Sequence, residues 1–290
     1  MTTRQEKTIK GHSGMIKRVT PGTVALETIT IILALIVFIP ILWMAVVSLK
    51  TDEASIPSAF HYFIPPFTIR NYVDILSGGT AVVRWLFNSI GVAAIVTVAT
   101  TLLCSMASYA IAKLKFHFRN AVYIYFLVGL MVPSEATIVA LFVWANKLKI
   151  IDTYWGLILP SLASSMNIII MSSFLQGIPN DLIEAARIDG ANEFRTYSTV
   201  ILPLSRTVIV TVSIFTFIGN WNSYLWPYLC AMSEDMFTLP VGIPTFISQF
   251  SVDKTVPMTV NMIASIPILI FFVLFEKQIV KGITLAGLKG

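Results

Sequence analysis

The chain has 290 residues, of which 56% are hydrophobic and 12% are charged. This composition excludes a soluble globular domain, which usually carries about twice as many charged residues, and it predicts an integral membrane protein. The net charge of +5 fits an anionic partner, but in a membrane protein the distribution of Lys and Arg along the chain is more informative than their sum.

Residues 1–23 are expected to form a polar tail on the cytoplasmic side, because they contain five basic residues and no apolar run that would indicate a cleavable signal peptide. Contact of this tail with the membrane surface or with a partner subunit is the alternative. Residues 24–290 are expected to form one transmembrane domain, since a span needs about 20 apolar residues. The predicted spans are 24–49, 85–112, 121–146, 154–175, 204–228 and 258–275. The predicted fold class is all-α, a polytopic membrane protein with six transmembrane helices.

The segments between and within the spans add detail. Residues 50–84 carry several prolines and glycines, which predicts a loop with or without a short surface helix. The third span contains Pro133-Ser134-Glu135, so we expect a kink in mid-course. Residues 231–257 are expected to form an outer loop. The two cysteines, Cys104 and Cys230, form no CxxC pair, and we interpret them as small packing residues.

Six spans place both termini on the same side of the membrane, and the basic residues identify that side. The two tails, the segments after the second and fourth spans and the start of the fifth span, where Arg206 lies, contain fourteen of the twenty Lys and Arg residues. Because basic residues accumulate on the cytoplasmic side, both termini and the segment after the fourth span are predicted to be cytoplasmic.

Residues 178–203 form a long polar segment with six charges of mixed sign between two apolar spans. Pro179, Asp181 as the cap and Glu184 three residues later predict the start of a helix. From these residues alone, a solvated helical loop that only joins two spans is one interpretation. A docking site for another protein is the other.

The predicted helix has a narrow and smooth face, formed by Leu182, Ala185 and Ala186 at helical spacing. Such a face lets the backbone of another protein come close. Gly190 is expected to end the helix, because glycine adopts the left-handed conformation that helix ends require.

The triplet Glu184-Ala185-Ala186, Gly190 four residues later and Leu202-Pro203 resemble the EAA loop of importer-type ABC transporter permeases. The resemblance implies that this loop docks into an ATP-hydrolysing subunit and transmits its movement to the membrane helices. Glu184 and Arg187 are then expected to pair with charges around the receiving cleft. The residues assigned to coupling are Asp181, Leu182, Glu184, Ala185, Ala186, Arg187, Asp189 and Gly190.

Further motifs resemble the MalG-like subfamily of carbohydrate permeases. They are Pro65-Pro66-Phe67-Thr68 with Asn71-Tyr72, Asn88-Ser89, Asn220-Trp221-Asn222 with Trp226-Pro227, and the stretch 281–290. This resemblance implies a type I ABC importer permease in a bacterial inner membrane, with a second homologous permease, an ATPase dimer and an extracytoplasmic solute-binding protein as partners. It also implies that the loop 231–257 reaches toward the binding protein and that the C-terminal tail contacts the ATPase. A plain connector and a frayed end are the alternatives.

The sequence predicts no nucleotide site within the chain. The nearest phosphate-loop match, Gly282–Lys289, has Leu288 where the motif requires Lys. We therefore expect ATP and Mg to be bound by the partner ATPase, with no cofactor in this chain. The histidines are scattered at His12, His61 and His117, so neither a metal site nor a catalytic pair is predicted, and the chain is expected not to be an enzyme. Membrane lipid is an expected partner, and nucleic acid is not.

The outer end of the fifth span combines amide donors with aromatic faces, a chemistry that suits the hydroxyls and CH faces of a sugar. The candidates for the solute path are Asn220, Trp221, Asn222, Tyr224 and Trp226, with Asn167 in the fourth span as a similar one. An interfacial aromatic belt is the alternative, although it accounts for the rings and not for the two adjacent amides. Glu135 is a further candidate, since a carboxylate within a span is costly unless it faces a cavity or a partner. A position near the outer surface, beside Pro133, is its alternative.

The predicted function is a permease subunit of an ATP-driven importer for a sugar or oligosaccharide. The competing hypothesis is a secondary transporter or channel driven by an ion gradient, which usually needs several ionisable groups at mid-membrane or paired broken helices in inverted repeats. Glu135 is the one good candidate for such a group, and no repeat is visible. The solute stays open among disaccharides, oligosaccharides, uronate polymers and glycerol phosphates, and so does whether the partner permease alone contacts it.

Overall fold

The computed structural model describes residues 21–51, 62–249 and 254–287. The described residues contain helices and irregular segments and no β-strand. Most of the predicted N-terminal tail and the end of the C-terminal stretch, residues 1–20 and 288–290, lie outside the described residues. Residues 52–61 and 250–253 also lie outside them.

The chain divides into two compact units between Met44 and Ala45. The first contains most of helix α1 (Pro21–Ser48), which is long and apolar enough to cross a membrane. The second contains the remaining described helices. In chain order these are α2 (Arg70–Asp74), α3 (Val82–Lys113), α4 (Arg119–Met131), α5 (Ser134–Lys147), α6 (Tyr154–Ile158), α7 (Ser165–Gln176), α8 (Asp181–Ile188), α9 (Glu193–Thr196), α10 (Leu202–Leu204), α11 (Arg206–Trp221), α12 (Leu225–Cys230), α13 (Leu239–Gln249) and α14 (Thr255–Gly287).

Three helices can each cross a membrane alone, and they correspond to the first, second and sixth predicted spans. They are α1, α3 and α14. Helix α14 continues to Gly287, beyond the predicted end of the span at Phe275. It can do so because a helix satisfies its own backbone hydrogen bonds on both sides of the lipid boundary.

Three bent pairs of helical pieces correspond to the third, fourth and fifth predicted spans, and the last pair begins at Glu193, before the predicted start of the fifth span at Leu204. The bend is 103° between α4 and α5, 40° between Tyr154–Leu162 and Ser165–Gln176, and 80° between Glu193–Leu204 and Arg206–Trp221. Six spans result when each bent pair is one span. The first break lies at Pro133, which confirms the predicted kink, because proline lacks an N–H and keeps the preceding residue out of the helical conformation.

The prediction of one continuous fifth span through 204–228 is wrong in its last part, because no single helix runs through these residues. Helix α11 ends at Trp221, and α12 follows as a separate short helix. The Asn222 side chain donates from Nδ2 to the Ile218 carbonyl oxygen at 2.9 Å, and the Ser223 N–H donates to the Asn220 carbonyl oxygen at 3.1 Å. These bonds close a turn at the end of α11.

The segment 231–257, for which the sequence predicts a loop, contains the further helix α13. Its first residue, Leu239, donates its N–H to Ser89 Oγ at 2.8 Å. The Asn88 side chain donates from Nδ2 to the carbonyl oxygens of Asp235 and Phe237 at 2.8 and 2.9 Å. The segment is therefore anchored on the start of α3, and the Asn88-Ser89 pair supplies the anchors.

Helix α3 is the central helix of the second unit, since it packs against both α7 and α11. One of the buried clusters that hold these helices together includes Cys104, Met171 and Val212. Cys104 and Cys230 are both buried free thiols, which confirms their interpretation as packing residues.

Candidate coupling site and solute path

Helix α8 forms close to the predicted position, but its cap differs from the prediction. Asn180, not Asp181, is the N-cap residue, and its carbonyl oxygen accepts the N–H groups of Ile183 and Glu184 at 2.9 and 3.0 Å. Its side chain does not cap the helix, because Oδ1 accepts a hydrogen bond from Lys113 Nζ at 2.9 Å instead. Asp181 and Glu184 lie in the first turn, where negative charge stabilises the positive end of the helix dipole.

Gly190 ends the helix as predicted, with φ at +81°. The Gly190 N–H donates to the Arg187 carbonyl oxygen at 3.0 Å, and the Ala191 N–H donates to the Ala186 carbonyl oxygen at 2.9 Å. This pair of bonds is a Schellman motif, which favours glycine at the left-handed position because a side chain would be strained there.

The two faces of α8 have different roles. Ile183 is only 3% exposed and belongs to a buried cluster with Tyr109, Leu175 and Tyr197. On the other side Ile188 is 86% exposed, and Leu182 and Ala185 are exposed as well. The helix therefore presents an apolar surface to an outside partner.

The apolar surface extends beyond α8 and is larger than the sequence predicted. Phe194 in α9 is 71% exposed, whereas Ala186 is half-buried. Sequence reasoning missed Ile183 as the anchor and Ile188 as the most exposed apolar residue. The alternation of Leu182, Ile183 and Ile188 around the helix was the signal that could have found them.

An ion pair within the chain joins α8 to α9. Arg187 Nη2 lies 2.8 Å from Glu193 Oε1, and Arg187 Nε donates to the same oxygen at 3.0 Å. The prediction gave Arg187 a partner in another protein, and the structure gives it one in the same loop. The second oxygen, Glu193 Oε2, accepts a hydrogen bond from the Tyr109 hydroxyl of α3 at 2.8 Å.

A second contact attaches the same region to α3. The hydroxyl groups of Tyr197 and Ser105 lie 2.6 Å apart in a hydrogen bond, and the rings of Tyr109 and Tyr197 lie 5.6 Å apart, centroid to centroid. Together with the Arg187–Glu193 pair, these contacts form a continuous chain from the exposed helix α8 to the central helix α3.

The loop also leads directly into α11. Residues Tyr197–Ile201 form a π-helical turn, followed by Pro203 and the 80° bend. Single π-helical turns within helices frequently lie at functional sites.

Two of the aromatic solute-path candidates are used in packing. Trp221 is 5% exposed and stacks on Phe217, with 6.0 Å between the ring centroids. Trp226 donates from Nε1 to the Gly156 carbonyl oxygen at 2.9 Å. Tyr224 is exposed and stacks on Tyr228 at 5.4 Å. Tyr224 thus presents an aromatic surface to the outside, and the two tryptophans contribute to the core.

The polar candidates lie in three places. Asn220 is half-buried and Asn222 is exposed at the end of α11. Asn167 joins α7 to α11, because it donates from Nδ2 to Thr216 Oγ1 at 3.0 Å. Glu135 is exposed in the first turn of α5, where it accepts a hydrogen bond from Ser134 Oγ at 3.0 Å. Within the described ranges no hydrogen bond or ion pair joins Glu135 to the other candidates.

Asp152 joins two distant segments of the chain in a way that the sequence did not reveal. Its Oδ1 accepts the N–H groups of Met232 and Ser233, each at 2.9 Å, and the Ser233 hydroxyl at 3.0 Å. The pKa of Asp152 is lowered below its usual value, chiefly by the hydrogen bond from the Ser233 N–H and further by those from the Met232 N–H and the Ser233 hydroxyl. Partial burial opposes this shift. The residue has φ of +57°, a conformation that Asp tolerates better than most residues.

The described part of the chain contains no cluster of His, Cys, Asp or Glu side chains able to hold a metal ion. What it combines is a set of membrane-spanning helices with an exposed apolar helix, rigidly attached to the central span at one end of the fold. Such an arrangement defines a class of protein: a polytopic membrane protein that exposes an apolar helix outside its spans.

The family model for the binding-protein-dependent transport system inner membrane component matches residues 104–285, more than half of the chain. The chain therefore belongs to this family, and it is a multi-pass inner-membrane permease of the ABC importer type. The segment 178–203 and most of the predicted spans lie within the matched residues.

Two similar proteins are sugar permeases. The arabinooligosaccharides transport system permease protein AraQ of Bacillus subtilis (strain 168) is 30% identical over 269 residues, which cover 92% of this chain and 96% of AraQ. The trehalose/maltose transport system permease protein MalG of Thermococcus litoralis is 34% identical over 267 residues, which cover 90% and 94%. A chain in the crystal structure of a bacterial ABC transporter that imports the acidic polysaccharide alginate superposes with a TM-score of 0.78 at 19% identity, covering 88% of this chain and 95% of that one. That similarity confirms the predicted fold.

Proposed function

We propose that this chain is the permease subunit of an importer for a sugar or oligosaccharide, and that α8 receives the movement of a partner ATPase. The observation that carries the proposal is the division of α8 into a buried anchor, Ile183, and an exposed apolar surface that includes Ile188. A loop that only connects two spans would not need to expose this surface to water.

Movement would pass from α8 to the spans by two routes. One is the chain of contacts from Arg187 through Glu193 to Tyr109 of α3. The other is the π-helical turn Tyr197–Ile201, which continues through the bend into α11. Because α3 and α11 also pack against each other, both routes reach the same pair of spans.

The remaining parts of the proposal concern orientation and partners. The distribution of basic residues supports cytoplasmic termini and a cytoplasmic α8, where an ATPase would find ATP. The partners would be a second homologous permease, an ATPase dimer that binds ATP and Mg, and an extracytoplasmic solute-binding protein that the segment 231–257 approaches. The chain itself would hydrolyse no ATP and is not an enzyme.

A sugar is supported by the functions of the similar proteins AraQ and MalG and by the amide and aromatic groups near the end of α11. Asn220, Asn222 and Tyr224 are the residues that we propose to contact the solute, since Trp221 and Trp226 are occupied in packing.

The test is reconstitution of the complete complex in proteoliposomes, with ATP hydrolysis and sugar uptake measured together. We expect Glu184→Lys to reduce uptake roughly ten-fold or more, because it replaces a carboxylate that favours docking with a positive charge beside the docking surface. Gly190→Pro should have the same effect, since proline cannot adopt the φ of +81° found there.

Asp74→Lys is the matched control for the charge reversal. The Asp74 side chain is 66% exposed, and its ion-pair partner among the described residues is its helix neighbour Arg70 at 3.6 Å, so we expect normal coupling. Normal ATP-driven uptake by both coupling variants would contradict the proposal. Uptake by this chain alone, driven by an ion gradient, would replace it with the secondary-transporter hypothesis.

A further inference from the structure

An open cleft of about 580 Å³ lies beside the coupling helix. One wall is the end of α3 and the loop after it, which contribute Lys113, Lys115 and Arg119. The other wall is the segment 176–180 that leads into α8. The cleft has the volume of a small-ligand pocket and a concentration of positive charge on one side.

Among the described residues, no carboxylate forms an ion pair with any of the three cations of this cleft. Ion pairs in the part of the chain that the structure describes involve other residues: they join Arg70 to Asp74, Arg84 to Asp235 and Arg187 to Glu193. Three positive charges around one cleft repel each other unless an anion is present. The missing counter-charge is therefore expected from a ligand.

The hydrogen bonds of these cations go to neutral oxygens. Lys113 Nζ donates to the Ile178 carbonyl oxygen at 2.5 Å and to Asn180 Oδ1 at 2.9 Å. Arg119 Nη2 donates to the Ala112 carbonyl oxygen at 3.2 Å. These bonds fix the position of two of the three charges without neutralising them, and Lys115 is exposed at the rim.

Exposed aromatic side chains adjoin the cations. Phe118 is 73% exposed and directly precedes Arg119, and Phe116 is 42% exposed beside Lys115. Phe118 has φ of +64°, so the backbone accepts a strained conformation where the side chain points away from the fold. Basic residues next to exposed aromatic rings at the end of a span are typical of the membrane interface.

We propose that this cleft binds the phosphate group of an anionic phospholipid from the cytoplasmic leaflet, and that the bound headgroup steadies the start of α8. The ammonium group of Lys113 makes the connection, because it contacts the two residues, Ile178 and Asn180, that lead into the coupling helix. The orientation rests on the proposed function; the lipid site itself rests on the charges and the cleft.

Lipid binding can be measured directly by native mass spectrometry of the purified permease complex, released from nanodiscs of phosphatidylcholine with increasing phosphatidylglycerol. We expect Lys115→Gln to weaken retention of phosphatidylglycerol about five-fold, the effect of removing one basic residue near an anionic headgroup. Lys115→Arg should restore retention, since it keeps the charge. Lys147→Gln is the matched control, because Lys147 is exposed at the end of α5 and lies over Trp144, outside the cleft.

Because retention is measured without ATP, its failure is distinguishable from failure of the proposed coupling function. A coupling readout follows in the same nanodiscs: phosphatidylglycerol should increase solute-stimulated ATP hydrolysis by the wild type more than by Lys115→Gln. Equal lipid retention by both proteins would overturn the proposal. An equal increase in ATP hydrolysis caused by inorganic phosphate in pure phosphatidylcholine would also overturn it, because it would assign the cleft to a free anion. Loss of ATPase co-purification by Lys115→Gln with unchanged lipid retention would assign the cleft to a protein interface instead.

Discussion

Asp152 shows how one side chain can hold two distant segments of the chain together. One of its carboxylate oxygens, Oδ1, accepts hydrogen bonds from the backbone N–H of Met232 and from both the backbone N–H and the hydroxyl of Ser233, which lie 80 and 81 residues away in the sequence. Its own N–H donates to the Cys230 carbonyl oxygen at 2.8 Å. The charged form of the carboxylate is therefore favoured in the folded protein, since hydrogen bonds to an ionised acceptor are stronger than those to a neutral one.

The first prediction at this scale concerns Asp152→Asn, which keeps the shape and tolerates the positive φ. The folded-state pKa of Asp152 is lower than its ordinary value of 3.8, so its charge stabilises the folded state above that value. This stabilisation is lost as the pH falls through the folded-state pKa. We expect Asp152→Asn to lower the thermal midpoint at neutral pH, and the difference from the wild type to shrink below about pH 4.

The measurement is thermal unfolding of the purified permease in nanodiscs across this pH range. Asp74→Asn serves as the control, because Asp74 has one exposed partner in its own helix and joins no distant segment. A difference between wild type and Asp152→Asn that stays constant down to pH 2 would mean that its charge does not stabilise the fold.

At the scale of elements, helix α8 shows which features of a helix can be predicted from the sequence and which depend on the packing of the whole fold. The helix, the terminating glycine and the exposed small residues were predictable, because each depends on residues within one or two turns. The anchor Ile183 was not, since its burial depends on Tyr109 and Leu175, which approach only after the spans pack. The partner of Arg187 was missed for the same reason: local charge patterns do not reveal which carboxylate the fold brings near.

The prediction for this element contrasts two isoleucines of one helix. Ile183→Ala removes a buried side chain and should destabilise the permease by about 2–5 kcal/mol, measured as a lower thermal midpoint. Ile188→Ala removes an exposed one and should leave that midpoint unchanged while it weakens co-purification of the ATPase. The opposite pattern, with Ile188 needed for stability and Ile183 needed for ATPase binding, would invert the assignment of the two faces.

The spans themselves were the most predictable part of the whole molecule, and their bends the least. Apolar length identifies a span because the hydrocarbon core is about 30 Å thick, but the sequence gives no measure of how far a break turns the chain. Pro133 predicted a kink, whereas the 103° angle depends on what α4 and α5 pack against. The end of α11 at Trp221 depends on a turn that side-chain hydrogen bonds complete, and hydropathy does not detect it.

Helix α3 connects the two functional ends of the molecule. Its 32 residues correspond to about 48 Å at 1.5 Å per residue, enough to run from one side of the membrane to the other. Tyr109 and Ser105 near its end contact the coupling loop, and Trp85 and Asn88 near its start contact the segment 234–237. Under the proposed function, a displacement of α8 would therefore act on the same helix that anchors the segment 234–237.

The last prediction tests the outer attachment of α3. A Cβ on Gly242 of α13 would lie 2.2 Å from the ring of Trp85, which is almost completely buried and donates from Nε1 to the Glu234 carbonyl oxygen at 3.0 Å. Because that ring cannot move aside, we expect Gly242→Ala to destabilise the permease by about 1–3 kcal/mol despite the better helix propensity of alanine. Gly91→Ala in α3 is the matched control: no atom lies within 4 Å of its added Cβ, so we expect an unchanged or slightly higher thermal midpoint. If Gly242→Ala also reduces sugar uptake while the ATPase still co-purifies with the permease, the attachment of α13 to α3 is part of the transport path. Equal thermal midpoints for Gly242→Ala and Gly91→Ala would show that Trp85 does not hold α13 in this close contact.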